Sequence, residues 1–123
     1  MSNTAKHILL TDDDPLLQEL LEIFLEANGY ILFTAQNGNQ AAEAVKEQTF
    51  DLIILDLMMP LMDGRQFLHW LRKEQCSSIP VMVLTAMQGA DVEQDLLTAG
   101  ATVVTFKPLS TESLVASVSK LLG

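Results

Sequence analysis

The chain carries one cysteine, Cys76, in 123 residues. A single thiol excludes an internal disulfide and fits a reducing compartment. Basic residues are also scarce: seven Lys and Arg stand against sixteen Asp and Glu, for a net charge of −9. Phosphate contacts need Lys and Arg, so the balance argues against direct nucleic-acid binding. A cation, or a partner with a basic rim, suits such a surface better. No apolar run reaches the ~18 residues of a membrane span, and the start, MSNTAKH, has no apolar signal region. The expectation is a cytoplasmic protein with no membrane association. Neither repeats nor low-complexity linkers interrupt the chain. Apolar residues make up 49% and charged residues 19%, the composition of a folded domain, and residues 1–123 read as a single one.

Short apolar runs alternate with amphipathic segments. Strands are expected at 6–11 (KHILLT), 30–35 (YILFTA), 51–56 (DLIILD), 79–86 (IPVMVLTA) and 102–106 (TVVTF). DLIILD shows no polar alternation, as expected for a strand covered on both faces. The first helix should open with Asp14 as N-cap and Pro15 at its first position. Leu17, Leu20, Leu21, Phe24 and Leu25 recur at helical spacing as its apolar face, and Asn28-Gly29 ends it. Further helices are expected over 37–48, over 64–74 behind Asp63 as cap, over 90–100, and over 110–122 behind a partial capping box of Ser110 and Ser113. The order βαβαβαβαβα predicts a parallel sheet with helices on both faces. Ligands of such sheets bind beyond the carboxyl ends of the strands.

That edge collects chemistry. The first strand ends at Asp12, Asp13 and Asp14, and the third at Asp56. The fourth ends at Thr85-Ala86, and the fifth runs into Lys107-Pro108. Asp14 is accounted for by capping, but a cap does not need three acids. Carboxylates gathered this closely repel one another unless they share a hard cation, and oxygen-only ligands suit Mg²⁺. Carboxylate, cation, ammonium and hydroxyl are the parts that place a phosphoryl group on an acid.

At this point the chain resembles a two-component response-regulator receiver domain of the CheY-like kind, through LLTDDDP, LIILDLMMPLMDG, VMVLTA and FKP in the family's order and spacing. The resemblance implies a doubly wound, flavodoxin-like (βα)5 fold with five parallel strands in the order 2-1-3-4-5. It implies Asp56 as phospho-acceptor, Thr85 as the hydroxyl that moves to the phosphoryl oxygen, and Lys107 as the ammonium pairing with Asp56 and then with the phosphoryl group. Asp12, Asp13, Asp56 and the backbone carbonyl of Met58 would hold Mg²⁺, with Mn²⁺ as the substitute. The donor would be a phosphohistidine on a histidine kinase or a histidine phosphotransfer protein. The product would be an active state that binds a downstream protein, and a phosphorylation-dependent dimer is compatible with it. Enzymatic activity would be confined to the domain's own phosphorylation and dephosphorylation.

Three positions depart from the family pattern. Val104 stands where an aromatic residue is usual three places before the lysine, and Phe106 is expected on the opposite side of the strand. Met58 and Met87 stand two residues after Asp56 and Thr85, where the side chains flank the phosphoryl group; two apolar neighbours should lengthen its lifetime. Thr11 replaces an aliphatic residue and is expected to hydrogen-bond at the rim of the site. His7 and His69 lie far from the motif ends and read as structural or solvent-facing, Cys76 has no expected redox role, and Trp70 reads as packing.

The competing readings are fewer in support. A phosphorylation-independent binding module would not need all five site residues. A Mg²⁺-dependent phosphohydrolase of the haloacid-dehalogenase kind would place its nucleophile after the first strand and carry a cap domain. A flavodoxin would need a phosphate loop where TDDDP stands.

Overall fold

A computed structural model describes residues 5–12, 14–56, 64–86, 89–107 and 110–122. Five strands, β1 (His7–Thr11), β2 (Ile31–Ala35), β3 (Leu52–Asp56), β4 (Val81–Thr85) and β5 (Val103–Phe106), alternate with five helices, α1 (Pro15–Ala27), α2 (Gly38–Glu47), α3 (Gly64–His69), α4 (Ala90–Ala99) and α5 (Thr111–Leu122). The strands are parallel, in the order β2-β1-β3-β4-β5. The sheet is the expected one.

Side chains alternate across a strand, and the interior divides accordingly. Leu9, Ile53, Leu55, Val81, Val83 and Val104 face one layer with Ala41 of α2, Phe67 of α3 and Leu96 of α4. Ile8, Leu10, Ile54, Met82 and Leu84 face the other, with Leu21 and Leu25 of α1 and Leu114 and Val118 of α5. All five residues of β3 are buried, because helices cover both faces of this central strand.

The helix starts follow local chemistry. Asp14 Oδ1 accepts hydrogen bonds from the backbone N–H groups of Leu16 (3.1 Å) and Leu17 (3.4 Å), with Pro15 opening α1. Ser110 Oγ accepts from the Ser113 N–H at 3.0 Å, a cap without the reciprocal acidic partner. Asp63, expected to cap α3, lies outside the described residues.

Three expectations need correction. Only part of the predicted α1 face is inside: Leu21 and Leu25 are buried, but Leu20 and Phe24 are exposed, and the third buried residue is polar, Gln18. The inward stripe is narrower than the apolar pattern because leucines cover the outside of the helix too. The helix over 64–74 is α-helical only to His69; Trp70–Glu74 forms a π-helical turn. β4 begins at Val81, not Ile79: the Ile79 carbonyl is taken by the Arg72 guanidinium and Pro80 has no N–H to give a ladder. Trp70 packs on Phe67 as expected, centroids 5.8 Å apart, with Lys46 Nζ 5.8 Å above its ring. His7 stacks on Phe33, and Cys76 is exposed.

Candidate functional site

Asp56 is the last residue of β3 and is 5% exposed. Burial of an acid here is supported from the far strand of the sheet: Lys107 Nζ, just past β5, lies 3.5 Å from Asp56 Oδ1. The lysine is placed by its own backbone, whose N–H donates to the Thr85 carbonyl at 2.7 Å. Thr85 closes β4, is fully buried, and stands opposite Phe106 in the ladder. Asp56, Thr85 and Lys107 therefore end or follow three adjacent strands at one edge, as the motif spacing implies.

Asp12 follows β1 on the same edge and is 1% exposed. Its backbone N–H donates to the Ala35 carbonyl (3.1 Å), and its Oδ1 accepts from the Asp14 N–H (2.9 Å). Its Oδ2 is buried and has no hydrogen-bond donor among the described residues. Burial pushes the Asp12 carboxyl up from 3.8 to about 6; the Asp14 N–H opposes this, the charge of Asp56 adds to it, Lys107 partly offsets it, and a proton shared with the Asp56 carboxylate raises it further. An orphaned carboxylate oxygen, desolvated beside a second carboxylate, fits a hard divalent cation. The donors are oxygen only, which favours Mg²⁺ over softer metals. Among the described residues, no three His, Cys, Asp or Glu side chains form a complete metal set. Asp13 and Met58, the other two expected ligands, lie outside the described residues, as does Met87.

One supporting residue was not singled out from the sequence. Gln18, buried on α1, donates from Nε2 to the carbonyls of Asp12 (3.3 Å) and Ala35 (3.0 Å). It ties α1 to the turn that carries the acidic pair. The available signal was an amide at an inward helical position, one turn past the Asp14 cap, where an apolar residue would be the default. Thr11 behaves differently from expectation: its hydroxyl is buried with no hydrogen-bond partner among the described residues, because β1 places it inside the layers rather than on a wet rim.

Phe106 also requires correction. It lies two residues beyond Val104, and residues two apart share a face. Accordingly Val104 belongs to the α2–α3–α4 layer and Phe106 packs against that same layer.

Comparisons with known proteins agree with this geometry. Residues 8–119 match the family model described as response regulator receiver domain. The chain is 36% identical over 115 residues to the probable transcriptional regulatory protein TcrX of Mycobacterium tuberculosis, covering 94% of this chain and 49% of that one. It is 34% identical over 127 residues to the sensor protein GacS of Pseudomonas syringae pv. syringae, covering 100% of this chain and 14% of that one. The chain thus spans half or less of these curated relatives. Among solved structures it superimposes on the chemotaxis response regulator CheY4 of Vibrio cholerae with a TM-score of 0.90 at 29% identity, covering 97% of this chain and 100% of that one. Sheet order, site and family match converge, and the chain belongs to the response regulator receiver domain family.

Proposed function

We propose that the chain is the phospho-accepting switch of a two-component phosphorelay, with all of residues 1–123 forming one receiver domain and Asp56 as acceptor. The observation that carries this reading is the pairing at the sheet edge: a buried strand-end carboxylate 3.5 Å from a lysine ammonium, beside a second buried carboxylate, one oxygen of which has no hydrogen-bond donor among the described residues.

The donor is a phosphohistidine on a histidine kinase or a histidine phosphotransfer protein. An Asp56 carboxylate oxygen attacks phosphorus, the P–N bond breaks, and the imidazole leaves with the bonding electron pair and takes up a proton. The product is an acyl phosphate. The rigid sheet end fixes Asp56 for in-line attack. The Lys107 ammonium, already beside Asp56, moves its pairing to the phosphoryl oxygens, and the Thr85 hydroxyl donates to one of them. Mg²⁺, when bound by Asp12, Asp13, Asp56 and the Met58 carbonyl, supplies charge neutralisation for the transferring phosphoryl group. Attack by water on phosphorus later releases phosphate and restores the carboxylate. The altered charge at the site shifts the population between inactive and partner-binding states.

The donor's docking surface follows from α1, which starts directly beside Asp12. On its outer side Leu16, Leu20, Ile23 and Phe24 are exposed, Leu16 by 78%. Glu19 and Glu26 are exposed along one flank of that stripe. An apolar helical surface with a Lys- or Arg-bearing border complements it.

Incubation with Mg²⁺ and acetyl phosphate tests the central step by intact mass. The expected result is one added phosphoryl group, lost in Asp56→Asn and on removal of Mg²⁺. Absence of the gain in the unmodified chain, with Mg²⁺ bound, would overturn the reading in favour of a phosphate-independent binding module. Leu20→Glu should leave uptake from acetyl phosphate unchanged and slow transfer from a phosphorylated histidine phosphotransfer domain by roughly tenfold, the loss of about 1.4 kcal/mol of docking energy.

A further inference from the structure

We propose that Gln18 is a positioning residue for the metal: its amide holds the Asp12 turn in a shape that suits Mg²⁺ better than a larger divalent ion such as Ca²⁺. The inference rests on the reading of Asp12 as a Mg²⁺ ligand and names the residue that gives this ligand its selectivity.

Helix α1 buries three side chains, Leu21, Leu25 and Gln18. The two leucines belong to the core layer beneath the helix. An amide in the third place is costly to bury unless its hydrogen bonds are made, and an apolar residue would pack there without that cost. The Gln18 amide is spent on backbone: Nε2 donates to the Asp12 carbonyl at 3.3 Å and to the Ala35 carbonyl at 3.0 Å. The Ala35 carbonyl also accepts from the Asp12 N–H at 3.1 Å. The first turns of α1, the end of β2 and the residue after β1 therefore meet at one carbonyl. The mount is stiff, since the Gln18 N–H donates to the Asp14 carbonyl at 2.9 Å and the buried leucines lie one and two turns further on.

Asp12 is held at three of its four polar atoms: the N–H by Ala35, the carbonyl by Gln18, and Oδ1 by the Asp14 N–H. The fourth, Oδ2, is buried and has no hydrogen-bond donor among the described residues. A carboxylate fixed in this way presents its remaining oxygen in one place. Mg²⁺ is small, demands near-octahedral geometry and tolerates little displacement of a ligand, whereas Ca²⁺ accepts more oxygens in looser arrangements. An anchored Asp12 thus favours the smaller ion. Releasing its carbonyl lets the turn move and penalises Mg²⁺ more than Ca²⁺. Outer partners that orient metal ligands typically set affinity by about 10–100-fold.

The test is a titration of the full chain with MgCl₂, and separately with CaCl₂, followed by ¹⁵N amide shifts at one pH, with urea midpoints read on the same proteins. Gln18→Met matches the length of the side chain, suits a helix and donates nothing. Gln18→Leu also removes the donor, so the result does not hang on the folding of one variant. Leu25→Val trims the same helix in the core and removes no donor. The expected result is a Mg²⁺ dissociation constant raised by about tenfold in both Gln18 variants, against about threefold or less for Ca²⁺. Leu25→Val should lower the urea midpoint and leave both constants within about twofold of the unmodified chain. Unchanged Mg²⁺ affinity in the Gln18 variants overturns the proposal, as does an equal loss for the two ions or the same loss of preference in Leu25→Val, which would mark general loosening. In each of those cases the Mg²⁺ reading stands. Full Mg²⁺ binding by Asp12→Asn, or no binding by the unmodified chain at millimolar Mg²⁺, overturns both.

Discussion

The two ends of the sheet are built on opposite terms. At the amino ends of the strands, polar groups are matched. The His7 N–H donates to Asp51 Oδ2 at 2.8 Å, and the Val81 N–H donates to Thr102 Oγ1 at 2.9 Å. Arg72 donates to three backbone carbonyls: Nε to Gly100 (2.9 Å), and Nη1 to Ser77 (3.0 Å) and Ile79 (2.7 Å). At the carboxyl ends, buried acids face one another, and the two buried side-chain oxygens without partners among the described residues, Thr11 Oγ1 and Asp12 Oδ2, are consecutive. Satisfied groups stabilise the native state; unsatisfied ones raise its free energy and are relieved by whatever arrives. The fold places its stability at one end and its reactivity at the other.

The comparison breaks most sharply at Arg72. Its guanidinium is half-buried, and burial alone pulls its pKa below the usual value. Its fork closes the 75–79 turn against the end of α4, so close that a Cβ on Gly100 would sit 2.6 Å from Arg72 Cγ. Arg72→Met strands the carbonyls together and should lower unfolding stability by about 3 kcal/mol. Lysine cannot reproduce the fork, so Arg72→Lys should recover only part of the loss. Urea midpoints measure both, and phosphoryl uptake by the folded fraction of each variant should match the unmodified chain. A variant that folds normally but takes up no phosphoryl group would show that the two ends are not separable.

At the other end, Asp12 gives the next largest effect. Its carboxyl is raised in the folded chain from 3.8 to about 6, chiefly by burial. The folded state therefore holds this proton more tightly than the unfolded state. The stabilisation is complete below about pH 3.8 and is lost as pH rises through about 6. Without divalent cation, stability should fall by about 1 kcal/mol from about pH 5 to about pH 7 relative to Asp12→Asn, which lacks the titration. Millimolar Mg²⁺ favours the charged carboxylate and should flatten or reverse that difference. Identical pH profiles for the two proteins would show that Asp12 is not strained.

Much of this asymmetry could be read from residues. Asp56 after LIIL, Thr85 after VMVL and Lys107 after β5 are strand-end positions, and a parallel sheet brings strand ends together whatever the side chains are. What escaped the sequence depends on side-chain direction and neighbours. Leu20 and Phe24 fit a helical period but point outward, since α1 is apolar on two sides and pattern alone does not choose between them. Gln18 looks like an ordinary helix residue until the carbonyls of Asp12 and Ala35 are seen above it. The π-helical turn at Trp70–Glu74 has no composition signal, whereas the face of Phe106 is legible, since a two-residue step along a strand returns it to the face of Val104.

Thr11 sharpens the comparison with the smallest change. Its hydroxyl is fully buried, has no partner among the described residues, and stands immediately before Asp12. Leaving a neutral donor unsatisfied costs on the order of 1 kcal/mol, and the branched valine has nearly the same shape. Thr11→Val should therefore stabilise the chain by about 0.5–1 kcal/mol, read as a higher urea midpoint at unchanged slope. A β-branched residue is retained on a β-strand, so backbone preference does not confound the result. If the orphaned oxygens at this end are independent, the gain is the same with and without Mg²⁺. If the Thr11 hydroxyl takes part in what Asp12 binds, the gain vanishes or reverses when Mg²⁺ is present, and the reactive end of the sheet extends one residue further into β1.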